Sequence, residues 1–411
     1  MIDEFYRLSR QFLQQYHRPY KRYFLKKHTL SHRFCVITGQ RGVGKSTALI
    51  QYLADYCAGD TTSKKILYVP ADHFITGRYS LYEIAETFVN FGGEFICFDE
   101  VHKYPDWSRE LKSIFDTFVN VKMIASGSSM LEIQRGSHDL SRRALVYKLE
   151  GLSFREFIEL LSGMDLPAFA LDQILKEHES ISNSLVAAVE KTGKKILPLF
   201  NDYLTFGFYP YFLEFKDISL FHITLEQQIH TTVEADLAAV QHALTGGSIR
   251  KIKKLLSVIA ANVPFTPDIT KLMNIIQVGD ARTLKTYLNY LEDGGIIRQF
   301  GKAGRSLDRL EKPEKIYLNN TNQVFALAGL TDGNRGTIRE TFFATMLSTT
   351  GNLSIPRKGD FLHEDRFLFE IGGKNKTRKQ IAGVTESYRA LDDMEHGFDD
   401  TIPLWLFGFL Y

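Results

Sequence analysis

Eight residues near the start of the chain have the types and spacing needed to hold a phosphate chain. Gly39-Gln40-Arg41-Gly42-Val43-Gly44-Lys45-Ser46 fits G-x-x-x-x-G-K-[ST] in full, and Thr47 follows it. Glycines let the backbone curl until successive N–H groups point at phosphate oxygens. A helix that starts there adds the positive end of its dipole. In such a loop Lys45 bridges the β- and γ-phosphates and Ser46 sets its hydroxyl on Mg²⁺. A second set comes later: Phe95-Ile96-Cys97-Phe98-Asp99-Glu100 is an apolar run ending in two carboxylates. Asp99 suits a metal ligand acting through water, and Glu100 suits the base that orients and activates an attacking water. Together they predict binding of ATP with Mg²⁺ as cofactor, followed by hydrolysis.

Two further groups belong to the same chemistry. Ser126-Gly127-Ser128-Ser129 follows a later apolar run, the fourth along the chain. Ser126 or Ser128 there can sense the γ-phosphate or align the water; the alternative is a helix N-cap, which serine fills readily. Arg142-Arg143 lies beyond. Arg143 is the candidate to stabilise charge on the transferring phosphoryl group, within the chain or from a neighbouring copy in a homo-oligomer, with a solvated surface arginine as the alternative.

These residues need a scaffold that brings strand ends together. Residues 34–38, 65–69, 94–98 and 121–125 are short apolar runs and read as strands. Residues 46–56, 81–90 and 107–118 between them read as helices. This alternation predicts an α/β fold with a mostly parallel sheet covered on both faces. The aromatic and basic residues from Phe5 to Tyr23 suit a leading amphipathic helix. After Gly151 the alternation stops. Residues 152 to about 245 read as helical, with a polar loop at 177–184. The last apolar run, 403–410, reads as a closing strand.

The order of these motifs resembles that of the prokaryotic AAA-like ATPases of the archaeal-ATPase type. The resemblance rests on the two nucleotide motifs, on FDEVHKYPDWSRELKSIFD, on the SGSS turn and on DLSRRALVYKLEGLSFREF. It covers residues 30 to 160 strongly and the remainder weakly. Val101-His102 fits the family's DE-x-[HQ]. The chain departs from the pattern where Arg142 stands in place of a common Gly and Gly151 in place of a common Pro. The resemblance implies a P-loop NTPase sheet, often followed by a winged helix and a C-terminal region resembling PD-(D/E)xK nucleases.

Both later regions carry residues that bear on this implication. Leu284, Tyr287, Leu288 and Leu291 fall on one helix face, Gly294-Gly295 ends the helix, and two strand-like runs follow. Arg298, Lys302, Arg305 and Arg309 crowd the connection between those runs and are the candidate DNA contacts. In the last region Glu340, Asp360 and Glu370 are the candidate nuclease-like acids. The nuclease pattern sets a lysine two residues after the last acid, where this chain has Gly372, so Lys374 is the nearest candidate in EIGGKNK. The expected division is an N-terminal helix (1–30), a P-loop ATPase domain (31–160), a helical region (161–245), a winged-helix-like domain (246–330) and a small nuclease-like, restriction-endonuclease-like α/β domain (331–411).

Composition sets outer bounds. A net charge of +2 over 411 residues confines any nucleic-acid surface to a local patch. Three cysteines with no CxxC pair suit buried reduced thiols. The charged start lacks a signal-peptide core, and no run approaches the roughly 18 apolar residues of a membrane span. The expectation is therefore a cytoplasmic protein with no membrane partner. The leading function is an ATPase acting with nucleic acid. The alternatives are a nucleotide-dependent protein-binding switch or scaffold, and an ATP-gated DNA nuclease.

Overall fold

The computed structural model describes residues 1–127, 140, 142–237, 244–304, 312–328 and 335–411. They divide into two compact units, Met1–Gly151 with Glu234–Ala243, and Leu152–Val233 with Leu244–Tyr411. The first division falls after Gly151, earlier than residue 160, and a short later segment returns to the first unit.

The first unit is built on five parallel strands: β1 (Phe34–Thr38), β2 (Ile66–Pro70), β3 (Phe95–Asp99), β4 (Lys122–Gly127) and β5 (Leu145–Lys148), in the order β2-β3-β4-β1-β5. The helices are α1 (Ile2–Tyr16), α2 (Tyr23–Lys27), α3 (Lys45–Tyr56), α4 (Leu81–Asn90) and α5 (Trp107–Thr117). Strand side chains alternate between faces. Phe34 and Val36, Leu67 and Val69, Ile96 and Phe98, and Met123 and Ala125 pack with the apolar sides of α1, α4 and α5. The other face meets α3, whose Tyr52 and Tyr56 rings stand edge-on to Phe95. Burial on both faces is why these strands read as unbroken apolar runs rather than alternating ones. β5 escaped the sequence reading because it is short and its residues are mostly exposed.

An edge strand leaves N–H and C=O groups unpaired. On β2 the cover is α1, through its buried face of Ile2, Phe5, Tyr6, Leu8, Ser9 and Leu13. The buried Ser9 hydroxyl accepts the Tyr68 N–H at 2.9 Å, and Tyr6 donates to the Lys64 carbonyl at 2.9 Å. Between α1 and β1, Arg22 is a buried staple. Its guanidinium donates to the Val43 carbonyl at 2.8 Å and to the Glu150 and Gly151 carbonyls at 2.9 and 2.8 Å. It thereby ties the glycine-rich loop to the chain leaving β5.

The second unit opens with α6 (Phe154–Ser162), which carries a capping box of Ser153 and Glu156. Then come α7 (Leu171–Glu190), α8 (Ile196–Phe206) and α9 (Ile218–Thr231). The polar stretch 177–184 is not a loop but part of α7. Glu177, Glu179, Ser180, Asn183 and Ser184 form the solvent face, while Ile174, His178, Ile181, Ser182 and Leu185 are buried at helical spacing. Three helices, α10 (Gly246–Ala260), α11 (Ile269–Ile276) and α12 (Ala281–Asp293), precede an antiparallel pair, β6 (Ile297–Phe300) and β7 (Lys315–Leu318). Phe265 adds a bridge to Ile316. After α13 (Thr321–Ala328) and α14 (Arg335–Leu347) comes a mixed sheet. Its strands are β8 (Leu353–Ser354), β9 (Phe361–His363), β10 (Phe367–Gly373), β11 (Ser387–Asp392) and β12 (Thr401–Pro403), in the order β12-β11-β10-β9-β8. β10, β11 and β12 run parallel, while β8, β9 and β10 pair antiparallel. The expected closing strand is a buried 3₁₀ helix, Leu404–Phe409. A short, wholly apolar run carries no period that separates the two.

Arg22→Ala should destabilise the first unit by about 3 kcal/mol, because two buried carbonyls and one part-buried carbonyl lose a charged donor. Denaturant unfolding of the variant against wild type checks this; an unchanged midpoint would remove the staple from the account.

Candidate nucleotide site

The P-loop connects the C-terminal end of β1 to α3. Gly39 is required by close approach: a Cβ there would collide with the Leu149 carbonyl. Gly44 caps α3 at φ 98°, a left-handed conformation that glycine adopts without strain. Lys45 opens the helix and is 4 % exposed. Its ammonium folds back onto the loop, donating to the Gly39 carbonyl at 3.1 Å and the Gln40 carbonyl at 3.0 Å. Burial pulls its pKa down, while the charges of Glu100, Asp99 and Asp236 oppose that fall. Val43 is buried under the loop, and Arg41, Gly42, Ser46 and Thr47 are partly open to solvent.

β4 stands between β1 and β3 in the sheet, so Asp99 and Ser126 end neighbouring strands. Asp99 is buried and held from three sides. The Tyr68 phenol and the Ser126 hydroxyl both donate to it, and the Glu100 N–H reaches its Oδ1 at 3.1 Å. The Tyr68 phenol also meets the Ser46 hydroxyl, which places the two candidate metal donors within reach of one side chain. Burial and the neighbouring Asp99 push the Tyr68 pKa well up, so it stays a donor. A hydroxyl beside a buried, oriented carboxylate is the oxygen donor set that Mg²⁺ takes. Tyr68 was not legible in the sequence. Its signal, an aromatic on the strand next to β3, exists only once strand order is known.

Glu100 follows directly, with φ 54° and ψ 37°. A left-handed glutamate is strained, and such strain collects at functional sites. Its carboxylate lies 3.7 Å from His102 Nε2 and 3.5 Å from Lys103 Nζ. Burial holds the His102 imidazole down at about 4, so it is neutral near pH 7 and its contact with Glu100 is dipolar. Lys103 is shared with Asp72 at 2.7 Å.

The remaining candidates in this unit divide. Ser126 joins the site by donating to Asp99, and its Oγ also accepts the Glu100 N–H at 3.3 Å. Ser128 lies outside the described residues. Arg143 makes a two-pronged pair with Asp116, at 2.8 and 3.0 Å. A role at a phosphate therefore requires it to leave that partner.

The second unit holds the other predicted groups. Glu340 on α14 accepts from the Tyr317 phenol at 2.6 Å and lies 3.6 Å from Lys315. Burial raises its pKa. Asp360 accepts the Ile371 N–H at 2.7 Å. Glu370 on β10 is fully buried, and Lys376 approaches it at 3.0 Å. Lys374 is exposed, and it is Lys376 that faces the acids. A Cβ at Gly372 would sit 2.5 Å from the Lys376 Cβ, so the turn after β10 returns a lysine side chain to the place the strand leaves empty. Among the described residues no group of three His, Cys, Asp or Glu side chains is arranged to hold a metal. Of the candidate DNA contacts, Arg298 donates to the Asn319 carbonyl at 3.1 Å, Lys302 is exposed, and Arg305 and Arg309 lie outside the described residues.

Residues 31–158 match the AAA domain family, and residues 197–334 match a family of unknown function. An uncharacterised protein of Methanocaldococcus jannaschii is 23% identical over 384 residues, spanning 86% of this chain and 78% of its own. Among solved structures, a Walker-type ATPase of Pyrococcus abyssi aligns at 11% identity and a TM-score of 0.39, over 74% of this chain and 93% of that one. AMPPCP-bound DnaA of Aquifex aeolicus aligns at 12% identity and a TM-score of 0.26, over 66% of this chain and 86% of that one. No helix among the described residues is long and apolar enough to cross a membrane. Residues 31–158 thus match an AAA domain, and the groups around their P-loop are those that an ATP site uses. Lys45→Ala should abolish or severely weaken ATP binding, since the phosphates lose their buried cation. Titration with a fluorescent ATP analogue measures this, and wild-type-like affinity in the variant would overturn the assignment.

Proposed function

We propose that this chain is a Mg²⁺-dependent ATP hydrolase whose turnover is coupled to nucleic acid. The observation that carries the reading is the split of two adjacent carboxylates. Asp99 is buried and fixed by Tyr68 and Ser126, whereas Glu100 is turned out by a left-handed backbone and its side chain is 20% exposed. One carboxylate is held still by its hydrogen bonds, and the other is free to meet water.

The loop N–H groups and Lys45 bind the phosphates, with Lys45 exchanging the Gly39 and Gln40 carbonyls for phosphate oxygens. Ser46 and Asp99 would hold Mg²⁺, which when bound neutralises charge on the β- and γ-phosphates. Glu100 takes the proton of the attacking water. Neutral His102 and cationic Lys103 limit where that carboxylate can swing. Arg143 would complete the charge stabilisation after release from Asp116, in cis or from a neighbouring copy.

Three helices followed by an antiparallel pair, with Lys302 exposed just after β6, support the winged-helix reading and the coupling to DNA. The engagement of Arg298 by Asn319 and of Lys315 by Glu340 favours the second reading, a switch that binds protein. Lys315 of β7 lies beside Glu340 of α14, and Lys376 beside Glu370 of the last sheet, which favours a nuclease-like fold used for binding over one used for cleavage.

Glu100→Gln should keep ATP binding and lower turnover on the order of 10²-fold or more, the scale of a lost general base. Steady-state phosphate release beside an ATP-binding titration separates the two; unchanged turnover would mean that another group activates the water. Tyr68→Phe should raise the Mg²⁺ concentration for half-maximal turnover by about tenfold or more, because the ligand Asp99 loses an orienting donor. A magnesium titration reads this directly. ATP turnover of the wild type with and without double-stranded DNA, across salt concentrations, tests the coupling. Stimulation that fades with salt supports the DNA reading, and indifference to DNA moves the protein-binding switch ahead.

A further inference from the structure

A carboxylate that no motif announces lies against the P-loop. Where α9 ends at Thr231, the chain continues as one π-helical turn, Thr232–Asp236. Val233 is the last residue there of the second unit, and Glu234 begins the segment that returns to the first. Asp236 is 4 % exposed. Its Oδ1 lies 4.0 Å from Arg41 Nη1, and its Oδ2 has no hydrogen-bond partner among the described residues. Its charge also acts on Lys45 and His102.

A buried carboxylate with an unpartnered oxygen is unfavourable unless cations sustain it. Here the cations are Arg41 and Lys45 of the loop whose chemistry is to bind phosphate. ATP brings several negative charges into the same low-dielectric pocket, where like charges a few ångströms apart repel strongly. Asp236 and the phosphates therefore compete for the same positive field. We propose that Asp236 is the counter-ion of the P-loop in the absence of nucleotide, and that the phosphates of ATP displace it, releasing the 232–237 turn from Arg41. This rests on the ATP-binding reading above.

The turn is suited to such a role. π-Helical winding is rare and occurs mostly as single turns, frequently at functional sites. Val233 and Leu244, on either side of the returning segment, belong to the second unit. The segment is thus a covalent route by which the charge state of the P-loop reaches that unit. Reciprocity follows: whatever holds Asp236 against Arg41 must weaken ATP binding by the same factor by which ATP loosens the turn.

The test compares ATP affinity in wild type, Asp236→Asn and Asp236→Glu, with Lys45→Ala as the control, and follows amide hydrogen exchange of peptides spanning 228–237. Asp236→Asn keeps the shape and removes the charge. It should bind ATP about tenfold more tightly than wild type, within the usual range of such couplings. Asp236→Glu, which keeps the charge, should stay near wild type. In wild type ATP should speed exchange in the turn; in Asp236→Asn exchange should be fast already and ATP should add little. Equal or weaker ATP affinity in Asp236→Asn, or a wild-type turn whose exchange ATP leaves unchanged, overturns the proposal while the ATP site stands. If wild type binds ATP no better than Lys45→Ala, the ATP-binding reading fails and takes this proposal with it.

Discussion

A lysine ammonium buried at the end of a parallel sheet is the constraint around which the first unit is arranged. Removing such a charge from water is unfavourable by several kcal/mol unless it is surrounded by oxygen. In this chain Lys45 has the Gly39 and Gln40 carbonyls in direct contact and the carboxylates of Glu100, Asp99 and Asp236 in its field. The rest of the site follows from supplying those oxygens. The loop must curl tightly enough for its own carbonyls to reach the ammonium, and it must start close against the Leu149 carbonyl, which is why Gly39 tolerates no side chain. The strand bearing Asp99 must end level with the loop. Strand order β3-β4-β1 achieves that, with Ser126 of the middle strand fastening Asp99.

The same constraint gives meaning to features distant from the loop. α1 covers the edge beside β2 and so fixes the strand that carries Tyr68, which in turn orients Asp99. Arg22 ties the Val43 carbonyl of the loop to Glu150 and Gly151, so the floor of the phosphate site and the exit from the sheet move together. Each polar group serves the next: Ser9 satisfies the Tyr68 backbone, the Tyr68 phenol satisfies Asp99, and the main chain of Glu100 completes the set. Such a chain of satisfied buried groups is rigid, which suits a site that must stabilise charge without reorganising.

The second unit solves a comparable problem with a different outcome. Glu340, Asp360 and Glu370 are brought to one region by a helix, a strand entry and a central strand. Their charge is met by Lys315, Lys376 and the Tyr317 phenol. Gly372 leaves the space that the Lys376 side chain fills, so a lysine from beyond the strand meets Glu370.

The sequence by itself determined the elements and the chemistry of the loop. Residues 34–38 and 81–90 form their expected strand and helix to the residue, and the other early elements fall within a few positions. Strands buried on both faces and a G-x-x-x-x-G-K-S loop are local patterns, and local patterns are written in neighbouring residues. The same holds for the placing of Lys45, Ser46, Asp99 and Glu100, whose positions directly after β1 and at the end of β3 follow from residue type at fixed spacing. Where a pattern was ambiguous, the reading failed: an amphipathic stretch of α7 looked like a loop, and a short apolar run looked like a strand. Only the tertiary structure decided which residues meet across long separations. Tyr68 reaches Asp99 because β2 pairs with β3; Lys376 rather than Lys374 turns back to Glu370; Arg143 pairs with Asp116; and Asp236 arrives at Arg41 from a segment far along the chain. None of these has a sequence period or spacing, because each depends on strand order and chain return, which are fixed by the packing of the whole unit and not by any stretch of residues within it.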